Sequence, residues 1–247
     1  MRTFKVLGIR VDSLSFYDTI VEAERLINRR KPAYIISLSA LTVLLARADA
    51  EFARIIRDAA IVSCDGTGVK LAVRLLHGKD IKRVSGVDLI PHICGFCAER
   101  GFGVYFLGSR KESVAGAVKR MKTRFPDLKV SGFCDGYFDE KNVKYVVSGI
   151  KKAAPQVLFI GLGQPVQEKW INRHMSELGV PLLIGVGGSF DVLSGRLKRA
   201  PYLFQKAGLE WAYRLFLEPW RMRRILRLFR FVGLILKEKY SIRRKNI

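Results

Sequence analysis

The ten residues IVSCDGTGVK, Ile61 to Lys70, decide the fold. An apolar run ends in Asp65. Gly66 and Gly68 bracket Thr67, and the amphipathic run VKLAVRLL follows. That order predicts a strand, a tight loop and a helix. A carboxylate at such a junction lies at the carboxyl edge of a sheet, where open α/β sheets hold their ligands. The two glycines let a ligand come close to the backbone. The helix start beyond them offers free N–H groups to an anion. Asp65 is therefore the candidate chemical centre. The competing reading makes Asp65-Gly66 a simple turn, with Asp65 capping the helix.

The same alternation extends in both directions. Upstream, FKVLGIRVDS reads as a strand or hairpin. SFYDTIVEAERLINRR places Phe16, Ile20, Ala23 and Ile27 on one helix face. AYIISLSA is a strand whose tail, Ser37 to Ser39, runs into a single long helical stretch, LTVLLARADAEFARIIRDA. Downstream, KRVSGVDLI carries Arg83, Gly86 and Asp88 ahead of a helix. GVYFLGS is a strand ending at Gly108, and KESVAGAVKRMKTRF is a helix. LKVSGFCDGYF, QVLFIGLG and PLLIGVGGSF read as further strands. VKYVVSGIKKAAP is a helix stopped by Pro155, and QEKWINRHMSELG is one closed by Gly179. Several strands are apolar throughout, as expected when both sheet faces are covered. The prediction is a doubly wound α/β domain over residues 1–195, with a mostly parallel sheet flanked by helices and joined by right-handed crossovers.

Charge sets the remaining 52 residues apart. The chain has 44 Lys and Arg against 22 Asp and Glu, a net +22, which points to a polyanionic partner. From Arg196 onward, fifteen Lys and Arg stand against Glu210, Glu218 and Glu238. Residues 196–247 are read as a basic, amphipathic, helical appendage. In WRMRRILRLFRFVGLILKEKYSIRRK, Arg223, Arg227 and Arg230 fall on one face. Met222, Ile225, Leu226, Phe229 and Val232 fall roughly opposite. Such a helix suits the headgroup layer of an anionic membrane, and Trp220 and FVGLIL favour that reading. A core helix with a solvated basic face is the alternative. Cys94 and Cys97 form a C-x-x-C pair with no second half, so neither a metal site nor a disulfide scaffold is expected. The start MRTFKVLGIRVDS has no signal-peptide core, and no run reaches the roughly 20 apolar residues of a spanning helix. The expected location is peripheral, at the cytoplasmic face of a membrane.

Four predicted strand ends carry glycines or small polar residues: Ser37 to Ser39, Asp65 to Gly68, Gly161 to Gly163 and Gly185 to Gly188. Gly108 is a fifth candidate. At one sheet edge they describe a crevice for a phosphorylated ligand. GLGQPV has only the first two glycines of the dinucleotide fingerprint, and no Walker loop is present. Dehydrogenase and kinase readings therefore drop.

VSCDGTGVKLA, KRVSGVDLI, GLGQPVQEKW and GVGGSFDVLSGRLKRAP, in that order, resemble the WecG/TagA/CpsF family of bacterial glycosyltransferases. The resemblance covers nearly the whole chain. It implies inverting transfer, without metal or cofactor, from a UDP-sugar to an undecaprenyl-diphosphate-linked sugar in cell-surface polymer synthesis. The donor sugar would be N-acetylmannosamine, its uronic acid or another hexose. The lack of a D-x-D motif agrees. By the same resemblance Asp65 is the general base. Arg83 would grip a diphosphate; alone, it could equally be a solvated charge. Gln167 matches a pocket residue, although it could simply open a helix. Gly66, Thr67, Gly108, Gly163, Gln164, Gly187, Gly188 and Asp191 are the other core substrate-binding candidates. Asp191 could instead serve a helix dipole, and Gly187-Gly188 could instead pack strand on helix. Arg214, Arg221 and Arg224 stand where relatives' tail arginines are thought to close over the site and steady the leaving UDP. Ser37 and Ser39 depart from the family's usual Thr and Asn, and a hydroxyl lacks an amide's paired donor and acceptor. Two rivals accompany this reading. A nucleic-acid-binding protein would leave the core motifs idle, and a lipid-linked-sugar carrier would need no base. Self-association is left open.

Overall fold

The computed structural model describes residues 2–217 and 222–245. A hairpin, β1 (Arg2–Val6) and β2 (Ile9–Ser13), precedes the main sheet. That sheet has six strands: β3 (Ala33–Leu38), β4 (Ile61–Cys64), β5 (Gly103–Gly108), β6 (Lys129–Cys134), β7 (Val157–Gly161) and β8 (Leu182–Gly185). Their order is β4-β3-β8-β7-β5-β6, and every pairing is parallel. All six carboxyl ends therefore open on one edge.

Alternate residues of the strands feed two cores. Tyr34, Ile36, Leu38, Val62, Leu107, Leu158, Ile160 and Leu183 face one side. They meet α2 (Ala40–Ala48), α3 (Ala50–Asp58), α4 (Thr67–His77), α7 (Val143–Ala153) and α8 (Val166–Leu178). Ile35, Ile61, Val104, Phe106, Phe159 and Ile184 face the other. They meet α1 (Phe16–Asn28), α5 (Gly86–Arg100), α6 (Lys111–Arg124) and α9 (Ser189–Leu193). Period-two burial on both faces explains why these strands read as unbroken apolar runs.

The long helical stretch after β3 is two helices. Asp49 separates α2 from α3 with an extended backbone (φ −134°, ψ 103°), and its Oδ1 accepts the Phe52 N–H at 3.0 Å. An Asp cap offers the backbone an alternative to helix, which apolar periodicity does not register.

The hairpin covers the β4 edge through side chains. Asp12, 1% exposed, accepts the Val62 N–H at 2.9 Å. Arg10 pairs with Asp12 at 2.7 Å and donates to the carbonyls of Arg57, Ala59 and Ala60. One N–H of the edge strand, and the carbonyls of the turn leading into it, are thereby satisfied without a further strand.

The C-terminal segment supplies α10 (Tyr202–Ala207), α11 (Glu210–Leu217) and α12 (Met222–Lys245). α12 lies on α2 and α4 and buries Phe231 and Ile235 in the first core. The Leu7 N–H also reaches Glu238 Oε2 at 3.1 Å. The other side of α12 exposes Met222, Leu226, Phe229, Val232, Leu236 and Tyr240. Among the described residues, no helix is long and apolar enough to cross a membrane.

Candidate active site

Asp65 follows the last residue of β4, in register with the end of β3. Leu38 pairs with Cys64, and the Asp65 N–H donates to the Leu38 carbonyl at 2.9 Å. The carboxylate is half-buried. Gly66, not Asp65, is the N-cap of α4. It has φ 95°, ψ 151° and no side-chain cap bond. That φ favours glycine at the turn into the helix. Burial, with the Asp65 charge adding to it, pushes the Cys64 thiol up to about 12, leaving it an inert neighbour.

Arg83 is held beside this turn, because the Val84 N–H donates to the Cys64 carbonyl at 2.8 Å. Its Nη2 lies 2.6 Å from Glu210 Oε1 on α11. Two other contacts tie the appendage to the same rim. Thr67 Oγ1 donates to the Gly208 carbonyl at 3.0 Å. Arg199 grips Asp88 with two nitrogens at 2.7 and 2.8 Å, while Ser85 Oγ donates to Asp88 Oδ2 at 2.6 Å. Arg83 is thus an ion-paired rim residue and not a freely solvated charge.

The ends of β3, β7 and β8 meet through a buried polar cluster. Gln164 Nε2 donates to the Ser37 carbonyl at 2.9 Å and to Glu168 Oε1 at 3.0 Å. Gln164 Oε1 accepts Thr42 Oγ1 at 2.6 Å. Gln167 Nε2 donates to Glu168 Oε1 at 2.7 Å, and Gln167 Oε1 accepts the Gly187 N–H at 3.0 Å. Gln167 is therefore a strut between α8 and the turn after β8, where a helix-opening residue would point to solvent. Glu168 is fully buried, and among the described residues its Oε2 has no hydrogen-bond partner. Burial raises its carboxyl to about 7, against the opposing bonds from Gln167 and Gln164.

Ser39 caps α2, in a reciprocal box with Thr42. Its hydroxyl is already engaged, 2.8 Å from Thr42 Oγ1. Ser37 Oγ lies 3.5 Å from Ser63 Oγ.

At the far end, Gly108 has φ 123°, and a Cβ there would stand 2.5 Å from the Gly161 backbone. This close approach brings the ends of β5 and β7 together, and the Ser109 N–H donates to the Gly161 carbonyl at 3.0 Å. Asp191 Oδ1 accepts Ser109 Oγ at 3.0 Å, Ser113 Oγ at 2.6 Å and Arg196 Nη1 at 2.9 Å. It acts as a cross-brace from α9 to the β5–α6 turn.

The structure thus brings Ser37, Ser39, Asp65, Gly66, Thr67, Arg83, Gly108, Gly163, Gln164, Gln167, Gly187, Gly188 and Asp191 to one sheet edge. Arg221 lies outside the described residues, as do the side chains of Arg214 and Arg224. Among the described residues no group of three or more His, Cys, Asp or Glu could hold a metal ion. Sequence reasoning missed Glu168 and Glu210. Glu168 had a signal: Gln164, Gln167, Glu168 and Ile171 recur at i, i+3, i+4 and i+7, the spacing of a buried face. Glu210 had none beyond its sign, as one of three acids among fifteen cations.

Comparison with known proteins bears on the same residues. The sequence model described as the glycosyl transferase WecG/TagA/CpsF family matches residues 4–245. A Bacillus subtilis (strain 168) protein is 32% identical over 191 residues, 77% of this chain and 74% of the relative. A Bacillus spizizenii (strain W23) protein is 32% identical over 214 residues, 86% and 82% of the two chains. A Staphylococcus aureus (strain NCTC 8325) protein is 28% identical over 241 residues, 97% and 94%. All three are named N-acetylglucosaminyldiphosphoundecaprenol N-acetyl-beta-D-mannosaminyltransferase.

Proposed function

Because the chain belongs to the WecG/TagA/CpsF family of glycosyltransferases, we propose that it moves N-acetylmannosamine or a similar hexose from a UDP-sugar to a polyprenyl-diphosphate-linked sugar. The observation that carries this reading is Asp65. It is a half-buried acid at the carboxyl edge of a parallel sheet, held between Leu38 and the glycine start of α4.

Asp65 takes the proton of the acceptor hydroxyl as that oxygen attacks the anomeric carbon. The new C–O bond forms on the face opposite the departing diphosphate, so the anomeric configuration inverts. The sugar–phosphate bond breaks and its electron pair leaves with UDP. Arg83, with Arg214, Arg221 and Arg224 from the tail, balances the charge on that leaving group in the role a metal has elsewhere. The N–H groups at Gly66, Thr67 and Gly188 approach the diphosphate, with Gly187 giving close approach beside them. Asp191 and the Gln164–Gln167–Glu168 cluster keep the strand ends in register around the donor. Ser37 and Ser39, small and already partnered, bear on which donor sugar fits.

Residues 196–247 act as a membrane-seated appendage to the 1–195 core, at the cytoplasmic face where a lipid-linked acceptor lies. The exposed row Met222, Leu226, Phe229, Val232 and Leu236, beside the exposed Arg227 and Arg230, supports this.

The test is UDP release over a panel of UDP-sugars with N-acetylglucosaminyl-diphosphoundecaprenol as acceptor. Turnover is expected with one UDP-N-acetylhexosamine, and Asp65→Asn should lower kcat by about 10²- to 10⁴-fold while leaving the circular dichroism melt unchanged. Absence of turnover across the panel, or full activity in Asp65→Asn, overturns the reading.

A further inference from the structure

Two arginine–carboxylate pairs join the appendage to the rim beside Asp65, and they are built differently. Arg199 and Asp88 meet through two nitrogens and two oxygens, and Asp88 also accepts from Ser85 Oγ. That pair is braced on three sides. Arg83 and Glu210 meet through one bond, Nη2 to Oε1 at 2.6 Å, with side chains 22% and 24% exposed. The contrast is in bond number and not in solvation, since the Arg199 and Asp88 side chains are 32% and 38% exposed: a single contact exchanges more readily than a bidentate one.

Glu210 also runs against its surroundings. It is one of three acids in the fifteen-cation stretch from Arg196, yet it points at the rim and not at solvent. It opens α11, just after Gly208, whose carbonyl accepts Thr67 Oγ1. A carboxylate oxygen and a phosphate oxygen make the same charge-assisted bond to a guanidinium.

We infer that Glu210 occupies the position on Arg83 that a diphosphate oxygen of the nucleotide takes, so that nucleotide binding displaces Glu210 and frees α11 to move. Glu210 is a positioning residue. It holds the Arg83 guanidinium at the rim, lowers nucleotide affinity by competition and links substrate arrival to the appendage. The inference rests on the glycosyltransferase reading only for the identity of the anion.

The experiment is a double-mutant cycle on the full-length protein, with UDP and inorganic pyrophosphate as separate probes in calorimetric titrations at fixed salt. Glu210→Gln is expected to tighten UDP binding about three- to tenfold, as loss of one partly buried competing ion pair allows. The KM for the UDP-sugar should fall by the same factor. In the Arg83→Gln background the same change should have no effect. Glu210→Ala serves the same cycle should the Gln variant fold poorly. Unchanged or weaker UDP binding in folded Glu210→Gln overturns the inference. So does an equal gain in the Arg83→Gln background, because removing any nearby negative charge would then explain it. Binding of pyrophosphate with the expected cycle, but of no nucleotide, supports the competition and counts instead against the UDP-sugar reading. Binding of neither probe by any variant overturns the inference.

Discussion

Replacing Glu168 with Gln should change how stability depends on pH, and the structure gives the size and sign. The unfolded carboxyl releases its proton near its ordinary value of 4.5, and the folded one near 7, because burial penalises the charged form. Between those values the folded chain holds a proton that the unfolded chain has lost. Stability from this group is therefore complete below about pH 4.5, declines as pH rises, and levels off above about 7. Integrated from pH 5 to pH 8, the loss is about 2–3 kcal/mol. Gln keeps the shape and leaves an oxygen to accept from Gln164 and Gln167, but it does not titrate. At pH 5 both proteins carry a neutral group with one polar atom lacking a partner and should be similarly stable. At pH 8 the variant should be the more stable by most of that amount. Urea unfolding followed by far-UV circular dichroism, in steps across this range, measures the difference, and groups common to both proteins cancel. Two stability curves that stay parallel from pH 5 to pH 8 would refute a buried, proton-holding Glu168.

Phe231→Ala, at a site 3% exposed in the first core, should cost about 3–5 kcal/mol in urea unfolding. A loss below about 1 kcal/mol would mean that α12 does not share the core. Gly108→Ala forces a Cβ toward the Gly161 backbone at a φ that suits glycine. It should destabilise by about 1–3 kcal/mol, and a thermal melt matching the parent would contradict the close approach. Phe229→Glu, on the exposed side of α12, should weaken co-sedimentation with anionic vesicles by about tenfold or more while leaving the melt unchanged. Equal sedimentation would remove that row from membrane contact.

The alternation of helix and strand, the parallel sheet and the loops at its carboxyl edge were all legible, because periodicity and glycine punctuation are local signals. Strand order was not. β3, β7 and β8 are similar apolar runs, and only three-dimensional packing places β8 between the other two. Nor was the break at Asp49, where one cap overrides strong helical spacing on both sides. α12 was read with one apolar face, yet it has two uses for apolar residues, with Phe231 and Ile235 inward and Leu226 and Phe229 outward. Side-chain partnerships were the least legible. Ser39 caps α2, a partnership its place at a strand end does not report. Asp191 accepts from Ser109, Ser113 and Arg196, partners that its place after a glycine pair does not report. Arg83 finds Glu210 across 127 positions, a distance no motif reports.

The seat of α12 has a mechanical consequence. Its inner residues rest on α2 and α4, and those two helices begin at Ser39 and at Gly66, on either side of Asp65. Any load on the outer row passes through a packed joint into the two helices that begin beside Asp65. The attachment works as a rigid foot and not as a rope. Height and tilt of the crevice relative to the outer row of α12 are fixed by that joint.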